Sequence, residues 1–93
     1  MSDEKPNIYF NIQIGKLIKE QFLQSKLSIE EFASLIGCNR DNVYDIFQKE
    51  RINTDHLLII SKVLRYDFFK IYSELVSNEL TKGIYVSIAK GNG

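Results

Sequence analysis

The sequence predicts an all-α fold, a compact bundle of five short helices, from three observations. Apolar residues recur at three- and four-residue steps in five segments, the spacing that aligns one face of a helix. Ser28 stands three residues before Glu31, the signature of a capping box in which hydroxyl and carboxylate satisfy each other's orphan backbone donors. Gly37 then breaks the pattern, since a residue without a Cβ lets a helix end in the left-handed conformation.

The first helix is expected from about Asn11, with Ile14, Leu17, Ile18 and Phe22 as its apolar stripe and Lys16, Lys19, Glu20 and Gln24 off it. Gly15 weakens its first turn, and Gln24-Ser25-Lys26 ends it. The second begins near Ile29, behind the capping box, and carries Ile29, Phe32, Ala33 and Ile36 on one face. After Gly37-Cys38-Asn39, the Asn39 side chain caps a third helix with Val43, Ile46 and Phe47 inward and Asp41 near the positive end of its dipole. Helices of eight or nine residues do not persist alone, so companions must cover their apolar faces.

A fourth helix starts at Asn53 or Thr54. Leu57, Ile60, Ser61 and Leu64 give it a buried face that Leu58, Ile59 and Val63 widen, which predicts a central helix. Asp67 caps a fifth, in which Phe68, Ile71, Tyr72 and Leu75 recur. The organisation is a polar arm over residues 1–10, one domain over 11–78 and a tail over 79–93. Within the tail, Gly83 to Gly93 is β-prone, either a short strand that pairs with a second copy or a disordered end. The arm is a mobile terminus, with Lys5 within reach of a phosphate as the other reading.

Ninety-three residues suit one small domain, and 44% hydrophobic with 26% charged residues is ordinary globular composition. No apolar run approaches a membrane span, MSDEKPNIYF is not a secretory signal, and a lone cysteine offers no disulfide framework, so a cytoplasmic protein is expected. Twelve basic and twelve acidic side chains give zero net charge, against the basic balance usual in nucleic-acid-binding domains. Catalysis finds no constellation. His56 reads as a solvent-facing polar residue and Cys38 as half-buried packing without metal partners. Neither a catalytic residue, a metal nor a cofactor is therefore expected.

Counted from Ile29 as the first of twenty positions, Ala33 is fifth, Gly37 ninth and Val43 fifteenth, with Phe32, Ile36 and Ile46 apolar at the fourth, eighth and eighteenth. This resembles the helix-turn-helix of the lambda-repressor/Cro-like family, over roughly residues 14 to 75, and NVYDIF is similar to small regulators of the Bacteroidota within it. The resemblance implies that the second and third helices form a DNA-binding couple. It puts Asn39, Arg40, Asp41 and Asp45 against base edges. Arg40 is the foremost, since a guanidinium can bind guanine O6 and N7 bidentately. The alternatives for Arg40 are simple exposure or an ion pair with Asp41 or Asp45. For Asp41 the alternative is stabilisation of the helix N-terminus, and for Asp45 it is orienting Arg40 or Lys49.

Asn42, Tyr44, Gln48, Lys49 and Arg51 flank or follow that helix and suit phosphate oxygens, with Tyr44 also placed to pack on the core edge. Ile29 stands where the family often has a glutamine, so one customary phosphate clamp is missing. The resemblance implies a sequence-specific regulator of transcription, a repressor, binding double-stranded DNA as a homodimer. Two other readings stay open: a protein-interaction module that keeps the scaffold without DNA, and a DNA-binding antitoxin with a protein partner.

Overall fold

A computed structural model describes residues 12–81, and these are all-helical, with α1 at Ile14–Gln24, α2 at Ile29–Ile36, α3 at Arg40–Phe47, α4 at Thr54–Leu64 and α5 at Phe69–Thr81. The expected arm, and the strand or disordered end expected at Gly83 to Gly93, lie outside the described residues. The chain divides after Tyr66, with α1 to α4 in one unit and α5 in another.

Local chemistry fixes where the helices begin and end. Ser28 Oγ accepts from the Glu31 N–H at 3.0 Å while Glu31 Oε1 accepts from the Ser28 N–H at 2.8 Å, a complete capping box. Gly37 ends α2 at φ 81°, and Cys38 N–H reaches back to the Ala33 carbonyl at 2.9 Å, the six-to-one bond of a Schellman turn. Asn39 Oδ1 accepts from the Asn42 N–H at 2.9 Å and Asn53 Oδ1 from the His56 N–H at 3.0 Å, capping α3 and α4. Asp67 Oδ1 takes the N–H groups of Phe69 and Lys70 at the start of α5. The end of α4 is less favourable. Arg65 holds φ 56° there, a left-handed position that a side chain enters at a cost.

In the first unit, α3 packs on α1 and α2, and α4 packs on α2 and α1. Phe22, Phe32 and Phe47, one from each of α1, α2 and α3, meet with ring centroids 5.2 to 6.5 Å apart, so a single aromatic cluster fixes three helices. Ile14, Ile18, Val43, Leu57 and Ile60 complete the interior. Gly15 sits where α1 crosses the end of α3. A Cβ at that position would lie 2.6 Å from the carbonyl carbon and oxygen of Phe47 and also against the Ile46 carbonyl, and the Gly15 N–H donates to the Lys49 carbonyl at 2.9 Å. The glycine that weakens a first turn in sequence terms is here the condition for contact between two backbones.

Two expectations are corrected. Leu58 and Ile59 do not widen the buried face of α4 but stand 46% and 42% exposed, and Val63, Leu64 and Ser61 are only half-buried, so the fully buried part of α4 narrows to Leu57 and Ile60. The reason is angular. Leu57 and Ile60 point at the other helices, and the two residues between them necessarily turn away by one and two hundred-degree steps of the helix. His56 is half-buried rather than solvent-facing. Described by itself, α5 has Ile71, Tyr72 and Leu75 half-buried, Val76 and Leu80 exposed, and burial pushes the Tyr72 hydroxyl pKa up.

Candidate nucleic-acid interface

Two faces divide α3. Val43, Ile46 and Phe47 are buried, at 0%, 2% and 8% exposure, and anchor the helix against α1 and α2. Asn39, Arg40, Asp41, Asn42, Tyr44, Asp45, Gln48, Lys49 and Arg51 are all exposed. Every side chain that the sequence singles out for base or phosphate contact is thus presented to solvent by α3 or by the segments at its two ends. Rigidity comes from the buried side, which leaves the outer side free to carry polar groups without cost to the core.

Arg40 occupies the first position of α3 and does not pair with Asp41 or Asp45. Its Nη1 donates to Glu30 Oε2 at 3.0 Å, ten residues back in the first turn of α2. Asp41 and Asp45 project from other angles of the same helix, whereas the capped starts of α2 and α3 bring Glu30 alongside. Tyr44, one turn on, and the negative field of Glu30 hold the guanidinium pKa above the ordinary arginine value. Both members of the ion pair stay open to water, at 57% and 65% side-chain exposure, so the pair adds little stability.

Tyr44 is 45% exposed, and its ring packs on the core edge, meeting Phe47 edge-on at 6.3 Å and 81°. Asn39 has a narrower repertoire than its residue type allows. Its Oδ1 accepts the cap bond, which leaves that oxygen one further lone pair and the amide NH2 for outward contacts. Asp41 lies in the first turn of α3, where a carboxylate stabilises the helix start.

Positive charge stands at the ends of this helix, and Asp41 and Asp45 lie along it. Lys49 and Arg51 follow α3, and the bond from the Gly15 N–H to the Lys49 carbonyl brings the backbone at the first turn of α1, where the exposed Lys16 sits, against Lys49. Among the described residues these three carry no ion pair, while Arg40 at the other end is matched by Glu30. Of the five acids between Ser28 and Asn53, Glu31 is occupied with its capping box and Glu30 with Arg40, leaving Asp41, Asp45 and Glu50. Sequence spacing missed Glu30, because no helical periodicity links residues on two helices separated by a turn.

Cys38 is half-buried in the turn, and burial raises its thiol pKa, an environment that suppresses thiolate chemistry. Among the described residues there is no group of three His, Cys, Asp or Glu that could hold a metal ion, and no helix long and apolar enough to cross a membrane. No family model, curated protein or solved structure matches the chain.

Proposed function

We propose that this chain is a sequence-specific double-stranded-DNA-binding regulator of transcription, a cytoplasmic repressor that acts as a homodimer and reads the major groove with α3. The observation that carries this reading is the division of α3 into an anchored apolar face and an outward polar one. Asn39, Arg40, Asp41 and Asp45 are the readout candidates, and Asn42, Tyr44, Gln48, Lys49 and Arg51 the phosphate candidates. Lys16 joins the second set through its place beside Lys49. Phosphate contacts fix register and orientation, and groove contacts carry the sequence information.

One eight-residue helix spans too few base pairs to select a site in a genome, so two copies on an inverted repeat, with half-sites about one helical turn or a multiple of it apart, follow from the geometry of such modules. The reading assigns the chain no catalytic role and no cofactor. Selection from a random duplex library at low and moderate salt tests it. Enrichment of a palindrome supports the reading, and failure to enrich any sequence at low salt refutes it.

A second reading is favoured by one specific observation. The neutralisation of Arg40 by Glu30, on a chain of zero net charge, suits a surface that docks a protein instead of a polyanion. It predicts no retained duplex at any salt, and an antitoxin would combine the two partners.

A further inference from the structure

We propose that Glu30 is a positioning residue for Arg40: its carboxylate holds the guanidinium in one orientation from which the remaining donors face a guanine edge. This inference rests on the reading of α3 as a groove-binding helix. Arginine has five N–H donors, and Glu30 occupies one of them, so four remain, two more than a bidentate contact to O6 and N7 requires. An unrestrained arginine on an exposed helix start loses its rotamer freedom on binding. One already tethered at Nη1 from the neighbouring helix has lost part of that freedom beforehand.

The backbone makes the tether dependable. Glu30 is the second residue of α2, whose start is fixed by the capping box, and Arg40 the first of α3, whose start is fixed by Asn39. Between them lie only the rest of α2 and the Gly37 turn with its six-to-one bond, so the 3.0 Å ion pair spans two helix starts that do not drift independently. The pairing also offsets a carboxylate that would otherwise face phosphates bare. Removing Glu30 therefore has two effects of opposite sign, less discrimination and more non-specific attraction. A residue that merely supported the fold would lower both.

The test compares wild type, Arg40→Ala, Glu30→Ala and Glu30→Gln on the selected duplex, on its variants at each base pair, and on unrelated duplex over a salt series. Arg40→Ala should abolish preference at one base pair. Glu30→Ala should weaken preference at that same pair by roughly three- to tenfold, a part of what a bidentate contact supplies, while binding unrelated duplex more tightly and steepening the salt slope by roughly one. Glu30→Gln, which keeps an acceptor oxygen, should recover part of the preference. In the free protein, the Arg40 Nε–H heteronuclear NOE should fall in Glu30→Ala. Preference and NOE unchanged in Glu30→Ala, or specific and unrelated duplex weakened alike, overturns the positioning role and leaves groove binding standing. Wild type that retains no duplex at low salt overturns the groove-binding reading and this inference with it.

Discussion

Gly15→Ala is the sharpest probe of the packing that holds α3 in place. In an isolated helix the change is favourable, since alanine exceeds glycine in helix propensity by about 1 kcal/mol. At this crossing the new methyl would lie 2.6 Å from two backbone atoms of Phe47, against 3.4 Å or more for ordinary contact, so α1 must retreat by most of an ångström. No side chain can rotate out of the way, because the obstructing atoms are all backbone, and the retreat also stretches the Gly15 N–H bond to Lys49. Overpacking of this kind costs about 1 to 3 kcal/mol, here at the upper end, and the propensity gain offsets part of it. The net expectation is a loss of about 2 kcal/mol. With a urea m-value of about 1 kcal/mol/M, low in the range because the domain is small, the midpoint should fall by about 2 M. Lys16→Ala, one residue on and exposed, is the control and should stay within about 0.5 kcal/mol. A Gly15→Ala midpoint equal to or above wild type would refute the close-crossing account.

Three further outcomes follow. In base-substitution profiles, Arg40→Ala should lose discrimination at one position, whereas Lys49→Ala should weaken all sequences alike and reduce the salt slope by roughly one; identical profiles would remove Arg40 from readout. Arg65→Gly should stabilise the protein by roughly 0.5 to 1 kcal/mol in chemical denaturation, because glycine accepts the left-handed position that Arg65 now holds at φ 56°, and a loss of stability would show that its side chain matters more than its backbone. The raised Cys38 thiol pKa leaves less thiolate at neutral pH, so alkylation by iodoacetamide at pH 7.5 should be slower than that of a free cysteine and should accelerate as pH rises; a rate at or above the free thiol would contradict its burial.

What the sequence discloses and what it hides divide along the range of the interactions. Caps at Ser28, Asn39, Asn53 and Asp67, and the left-handed end at Gly37, depend on neighbours within five residues, and they are legible because the chemistry is local. The inward faces of α1, α2 and α3 are legible through periodicity, each being amphipathic. For α4 the same reasoning falters: apolar residues run almost all round it, and periodicity alone cannot tell that Leu58 and Ile59 face water. Gly15 is misjudged as a weak spot since its role exists only where a second helix arrives. The Glu30–Arg40 bridge is hidden for the same reason, and the nearer acids Asp41 and Asp45 are the natural but mistaken candidates. Exposure of the nine candidate residues around α3 is legible in advance because three buried apolar positions dictate the opposite face.

The most direct measurement is titration of isotopically labelled protein with its selected duplex, following backbone amide shifts. Groove binding by α3 predicts the largest changes at Asn39 through Asp45, further changes at Gln48 to Arg51 and at Lys16, and little at Leu58, Ile59 or α5 apart from any surface shared between two copies. Shifts that spare α3 while the duplex is bound, or no shifts at low salt, would contradict the account.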